Sequence, residues 1–441
     1  MTTWLFRRTG DWRARQAEAG VAKRTPPAGS APRVGLFGHI GSGNLGNDAS
    51  VEVVLTYLQA SHTGAVVDAM CKSPDRLRRQ YGVEAIPLLW YSRYEEQSSG
   101  VPAIVLKVLG KGVDAFRTAS WVRRHDVVIV PGTGLLESSL PLRPWHMPYA
   151  LFLLCTSGRL FGTKIALVSV GATTVNQRAT RWLLNSAARL AFYRSYRDVP
   201  SWDAMRASGI DPADGRIYPD LVFGLDTPTG EPGDPRTVGV GVMAYHGGND
   251  DRREADRIHA RYLGEMKRFI RWLVDGDRRV RLFWGDDADG STVEEILADV
   301  RAHRPDLQPG QVVAERCSSL RELIAKMASV GSVVATRYHN VVCALKLSKP
   351  TISIGYGSKH EALMADMGMS EFALSARALH SDELIARFGE LERRSPELRR
   401  ALAERSDTNG ALVGEQFSML SSVLFSEHDP CRGVGMRPPA A

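Results

Sequence analysis

The sequence predicts an α/β protein of two successive doubly wound, Rossmann-like domains with a cleft between them, and three observations carry that reading. Short β-branched and apolar runs alternate with stretches of helical periodicity along most of the chain. The alternation breaks at the Pro-, Gly- and Asp-rich segment 226–236, DTPTGEPGDPR, and then starts again. With 441 residues the chain has material for two cores.

The elements follow in order. Residues 1–32 read as a basic, disordered tail, in which Arg7, Arg8, Arg13, Arg15, Lys23 and Arg24 meet almost no acids before the linker PPAGSAP. Trp4, Leu5, Phe6 and Trp12 among those cations make peripheral contact with an anionic membrane the alternative reading of the tail. The first domain, 33–225, has RVGLFG, GAVVDAM, HDVVIV, KIALVSV, RLAFYRS and GRIYPDLVF as strands, with VEVVLTYLQA and SWDAMRASG among its helices. Segment 226–236 is the linker. The second domain, 237–375, runs TVGVGVMAY, a helix through MKRFIRWLVDG, RRVRLFWGD, the helix STVEEILADVRAH, QVVAER, the helix SLRELIAKMAS, SVVATR, a helix, TISIGY and a last helix. Alternation of this kind makes a parallel sheet in each domain. Residues 376–425 form helices expected to pack back on the pair, and 426–441 a disordered tail.

Composition excludes several classes. No window approaches the roughly 18 uninterrupted apolar residues of a membrane span, and the N-terminus lacks a signal-peptide core, so a cytoplasmic protein is expected, with the inner face of the membrane as its one surface contact. Beyond the tail the charges of a chain with net +7 interleave, and no nucleic-acid motif is present. The five cysteines are scattered with no C-x-x-C pair, which argues against a disulfide framework or a zinc site.

Ligands of open α/β domains sit beyond the carboxyl ends of the strands, so the loops there hold the candidates. After the first strand comes GSGNLG, 41–46, with Gly43, Asn44 and Gly46 and then Asp48. It fits the dinucleotide pattern G-x-G-x-x-G with Asp68 roughly 20 residues on, but it starts several residues after the strand, and a simple anion loop accounts for it better. After HDVVIV comes Pro131-Gly132-Thr133-Gly134, a second loop that admits a ligand to the backbone. In YRSYRD, Arg194, Arg197 and Asp198 read equally as a surface ion-pair group or a binding group. Trp145 and His146 read as a packed aromatic and its neighbour. Arg337 and His339 follow SVVAT, and Lys359 follows TISIGYGS, where Ser358 and Glu361 fit a capping box.

Together GSGNLGND, PGTGLL, YRSYRDVPSWDAM followed by YPDLVFGL, and ATRYHNVVCALKLSKPTISIGYGSKHEALMADMGM resemble the polysaccharide pyruvyl transferases, from about Val34 to about Met369. The family's loops read closer to G-x-G-N-x-G-D-E and G-G-G-G. Here Asn47 precedes Asp48, and Pro131 and Thr133 interrupt the second run. The resemblance implies a GT-B-like fold and transfer of the pyruvyl unit of phosphoenolpyruvate onto two sugar hydroxyls of a cell-surface polysaccharide or glycolipid precursor. A cyclic ketal forms and phosphate leaves, with phosphoenolpyruvate as donor substrate and neither cofactor nor metal. Under this reading Arg337 clamps an anionic end of the donor with its planar fork. His339 protonates the enol methylene. Lys359 holds the leaving phosphate at a helix start. Gly43, Asn44, Gly46, Asp48, Gly132, Gly134, Arg197 and Asp198 complete the substrate site. A nucleotide-sugar glycosyltransferase of the same fold is the rival enzyme, against which Met369 stands where an E-x7-E pair beginning at Glu361 needs its second acid. A catalytically inactive sugar-binding protein is the rival outside catalysis.

Overall fold

A computed structural model describes residues 31–41, 45–90, 100–132, 134–137, 144–211, 215–228, 233–248 and 251–425, with the side chains of 100–108 left aside. Both expected tails, apart from residues 31 and 32, and Gly43 and Asn44 of the first glycine loop lie outside the described residues.

Two parallel sheets organise the chain. The first contains β1 (Arg33–Gly38), β2 (Val66–Cys71), β3 (Glu84–Pro87), β4 (Val127–Val130), β5 (Lys164–Val170), β6 (Tyr193–Tyr196) and β7 (Arg216–Ile217), in the order β3-β2-β1-β4-β5-β6-β7. The second contains β8 (Asp234–Gly241), β9 (Arg279–Trp284), β10 (Val312–Arg316), β11 (Val330–Ala335), β12 (Thr351–Gly355) and β13 (Ala373–Ser375), in the order β10-β9-β8-β11-β12-β13. Strands such as β4 and β11 are buried along their whole length, as sheets covered on both faces require, which is why they read as unbroken apolar runs. The order reverses between β1 and β4 and again between β8 and β11, and a crevice opens at such a switch point, beyond the carboxyl ends of the strands.

The helices of the first domain are α1 (Leu45–Ser61), α2 (Pro74–Tyr81), α3 (Gly100–Val122), α4 (Met147–Phe161), α5 (Arg178–Leu190) and α6 (Val199–Ala207). Those after it are α7 (Ala255–Asp275), α8 (Gly290–His303), α9 (Leu320–Ala328), α10 (Tyr338–Lys346), α11 (Ser358–Asp366), α12 (Ser381–Arg393) and α13 (Ser395–Leu424). Because parallel crossovers are right-handed, the leftward steps from β1 to β2 and β3 put α1 and α2 on one face, and the rightward steps through β6 put α3, α4 and α5 on the other. One core cluster joins the α1 face to the whole second domain, and a separate cluster lies under α3 to α5.

The long α13 crosses back to the first domain. Its buried Gln416 donates to Ser195 Oγ (2.8 Å) and accepts from Ser169 Oγ (3.0 Å), while Lys164 Nζ donates to the Leu424 carbonyl (2.9 Å) near the helix end. A buried amide of this kind is stable only with its partners supplied, and both come from the first sheet.

Several local expectations are corrected. Arg189 and Leu190 belong to α5, so the strand in RLAFYRS starts at Tyr193. In GRIYPDLVF only Arg216–Ile217 is strand: Pro219 has no N–H for a ladder, and Asp220 caps a 3-10 turn at Leu221–Gly224 by accepting from Val222 N (3.1 Å). Ser358 is the first residue of α11 and Gly357 the cap, without a side-chain hydrogen bond, so the capping box does not form. The edge strands β3 and β13, four and three residues long, escaped the sequence reading.

Candidate functional site

The carboxyl ends of β1, β4 and β6 meet the N-termini of α10 and α11 of the second domain. After β1 the chain turns at Gly41, whose φ of 73° lies in the left-handed region, and its N–H donates to Asp48 Oδ1 (2.7 Å). Asp48 is buried on α1 with its other oxygen 3.9 Å from Arg76 Nε. Burial pushes its carboxyl up from the ordinary range, against the pull of the Gly41 N–H and Arg76. After β4, Gly132 accepts from Ser50 Oγ of α1 and comes so close to β5 that a β-carbon there would lie 2.8 Å from the Ser169 carbonyl. The glycines of both loops therefore tighten the frame of the site.

The centre is a charge cluster shared by the two domains. The buried Glu137, just past the second glycine loop, pairs with Arg197 Nη2 and lies 3.2 Å from Lys359 Nζ of α11. Arg197, at the end of β6, stacks its guanidinium over the Tyr338 ring at 4.8 Å, and Lys359 approaches the same ring at 5.4 Å. Burial works against the charge of Arg197, but Glu137, Asp198 and Asp220 together hold it protonated, above its ordinary range. Asp198 lies 3.3 Å from Arg197 Nε and also caps α6 by accepting from Ser201 N (2.7 Å). Arg194 is buried too and donates to the Ala188 carbonyl, so YRSYRD is not a surface ion-pair group.

His339 closes the cluster. Its ring packs on Gly46, where a β-carbon would overlap it, and its Nε2 is 4.0 Å from Asp220 Oδ2. Burial lowers its pKa to about 4, with Arg197 and Lys359 adding to the effect and Asp220 opposing it. The imidazole is therefore neutral at pH 7. Beneath it, buried His360 lies 3.0 Å through Nδ1 from Ser353 Oγ, and burial with the same cations lowers its pKa to about 3.

Arg337 stands apart from this cluster. Its fork is taken by the buried Asp289, with Nε donating to Oδ2 (2.9 Å) and Nη2 to Oδ1 (2.6 Å), and Asp286 is 3.3 Å from Nη2. Asp289 in turn accepts from Ala244 N (2.9 Å), so Arg337 ties the loops after β8 and β9 to the start of α10. Its side-chain hydrogen bonds and ion pairs run to Asp289 and Asp286 and not to Glu137, Arg197, His339 or Lys359. Asp68 is also placed: in the middle of β2 it accepts from Trp121 Nε1 (2.7 Å) and lies 3.0 Å from His125 Nε2, too far down the strand for a dinucleotide's ribose. Trp145 is 60% exposed and meets Tyr149 edge-on, with ring centres 5.9 Å apart. Among the described residues no three His, Cys, Asp or Glu side chains cluster as metal ligands.

The structure thus unites Gly46, Arg197, Asp198, His339 and Lys359, frames them with Asp48, Gly132 and Gly134, and adds Glu137, Asp220 and Tyr338. The sequence held signals for all three additions: Glu137 ends the PGTGLLE run, Asp220 sits in YPDLVF, and Tyr338 lies between Arg337 and His339.

The sequence profile of the polysaccharide pyruvyl transferases matches residues 44–358, which contain every member of the cluster except Lys359, the next residue. No curated protein sequence matches the chain. Among solved structures the fold is similar to the UDP-GlcNAc 2-epimerase of Neisseria meningitidis bound to UDP-GlcNAc, at 11% identity and TM-score 0.52, covering 88% of this chain and 99% of that one. The UDP-GlcNAc 2-epimerase of Methanocaldococcus jannaschii aligns at 8% identity and TM-score 0.56, over 88% and 99% of the two chains. The lipopolysaccharide outer core galactosyltransferase WaaB in its apo form aligns at 13% and 0.52, over 90% and 99%. At these identities the likeness is one of fold, and the fold is GT-B-like.

Proposed function

The chain belongs to the polysaccharide pyruvyl transferase family, and from that premise we propose that it moves the pyruvyl group of phosphoenolpyruvate onto two hydroxyls of a sugar in a cell-surface polysaccharide or glycolipid precursor. The observation that carries this reading is the pair of cations, Arg197 from one domain and Lys359 from the other, set beside a neutral histidine at the switch-point crevice. A donor with a carboxylate and a phosphate needs two cationic contacts and a proton source, and these residues supply them.

In the free protein Glu137 occupies both cations. The donor's anionic groups take over those contacts, Arg197 by its fork and Lys359 as a point charge beside the leaving phosphate. A phosphate monoester alone carries about −1.5 to −2 charges at neutral pH, enough to draw a proton onto the adjacent His339. His339 then delivers that proton to the enol methylene as a sugar hydroxyl bonds to the neighbouring carbon. The second hydroxyl bonds to the same carbon as the carbon–oxygen bond to phosphate breaks, and the electron pair leaves with phosphate. Of the two hydroxyl protons, one balances the new methyl group by way of His339 and one leaves on phosphate. Arg337 acts here as a positioning residue that fixes the start of α10.

The test is incubation with phosphoenolpyruvate and a panel of lipid-linked and nucleotide sugars, following phosphate release and the mass of the sugar. Phosphate release matched by a pyruvyl mass gain on one acceptor is expected. Glycosyl transfer from a nucleotide sugar without consumption of phosphoenolpyruvate would overturn the proposal.

A further inference from the structure

The layer of α3, α4 and α5 covers one face of the first sheet and packs inward through Trp121, Leu151 and Leu184. Its outward side carries large apolar side chains in water: Leu109 is 62% exposed, Phe116 75%, Leu160 71% and Trp182 60%. Scattered exposed apolar residues need no explanation, but these share one helical layer, and Phe152 of α4 meets Trp182 of α5 with ring centres 5.2 Å apart. The charge of this layer is one-sided. The one acid of the three helices, Asp114, is buried and paired with Lys111 and Arg117 of the same helix, while α4 and α5 expose Arg159, Arg178, Arg181 and Arg189 and contain no acid. Elsewhere the charges alternate, as in α7 and α12.

We infer that this face is a docking surface for an anionic phospholipid bilayer. Arginine among exposed Trp, Phe and Leu is the pattern of an interfacial surface, in which the apolar tips enter the headgroup boundary and the cations meet lipid phosphates. A nucleic acid would use the charge and leave the apolar tips unused. No helix among the described residues is long and apolar enough to cross a membrane, so the attachment is peripheral. The helices start at the carboxyl edge of the sheet, and Trp145, just before α4, is also 60% exposed, so the surface adjoins the mouth of the crevice. A sugar carried on a lipid would meet the site from this side.

The experiment is vesicle co-sedimentation of the full chain with phosphatidylglycerol-containing and pure phosphatidylcholine vesicles, in low and high salt. Binding only to the anionic vesicles, weakened by salt, is expected. Each cation near such a surface is worth about fivefold in partitioning, so Arg178→Glu with Arg181→Glu should lower binding by about 25-fold or more. Trp182→Ser with Leu160→Ser should lower it while leaving the salt dependence in place. Thermal melting of each variant checks that it is folded. No binding of the full chain to anionic vesicles, or undiminished binding of either folded variant, overturns the inference, as does a tighter, Trp182-independent attachment to duplex DNA. None of these readings depends on which reaction the crevice catalyses.

Discussion

His339 is neutral in the free protein because burial and two neighbouring cations outweigh Asp220, yet the proposed chemistry needs it protonated once the donor is bound. Donor binding at pH 7 should therefore take up about one proton, read as the buffer dependence of the calorimetric binding enthalpy, and His339→Gln should abolish that uptake. The same variant should weaken donor binding at pH 7 by about tenfold, the share carried by that proton, and cut kcat by about 10²- to 10⁴-fold, the span of a positioned acid. Unchanged turnover would remove His339 from the reaction. Arg337 makes the opposite expectation. Its fork holds a buried carboxylate, so Arg337→Lys should lower stability by about 2–4 kcal/mol, with most of the loss coming from Asp289 left poorly paired. Donor KM per folded molecule should hardly change. A large rise in KM with an unaltered melting temperature would return Arg337 to the role of anion clamp that its place after β11 suggested.

At the scale of elements, the first turn of α1 and the first turn of α10 are fitted to each other through Gly46 and His339, two residues from different domains. Gly46→Ala places a methyl group in the imidazole's space, so it should separate the two turns and lower kcat and the melting temperature together. In the double variant with His339→Ala the clash is gone, so the melting temperature should recover beyond additivity while activity does not. Additive losses would show that the two turns are not coupled. Sequence reading reached the strands buried on both faces, such as β4 and β11, because burial of both faces leaves an apolar run. It missed β3 and β13, edge strands with only one neighbour each. At the site it found residues whose signal is local, the glycine loops and the R-x-H segment. It could not see that Glu137 lies against Lys359, 222 positions away, nor that Arg337 is already occupied by Asp289, because pairings between elements are decided by packing and leave no spacing to read.

On the scale of the whole molecule, the crevice is where proton binding and stability meet the proposed binding of the donor. Both sheets point their carboxyl ends into it, α13 ties the second domain back to the first through Gln416, and the half-buried His339 and the buried His360 sit on its second-domain side. The pKa of His339 falls from 6.5 in the unfolded chain to about 4 in the folded one, and that of His360 to about 3. The unfolded chain therefore binds more protons below pH 6.5. The stability that these groups confer is full above that pH and is lost as pH falls toward their folded values, by on the order of 3 kcal/mol for His339 alone. A bound donor reverses the sign for His339. Once the ligand's charge lifts the imidazole pKa above 6.5, the complex binds the extra proton, and the stabilisation by phosphoenolpyruvate should grow as pH falls from 7.5 to 5.5 while the free protein weakens. The donor's own phosphate also takes up a proton near pH 6, which works against the trend, so the comparison that isolates the imidazole is with His339→Gln. Thermal melting with and without donor across this range should show a donor-induced shift that widens on the acid side in the natural protein relative to the variant. Parallel shifts in the two proteins would mean that His339 does not sense the donor's charge, and the proton would then have to come from another group in the crevice.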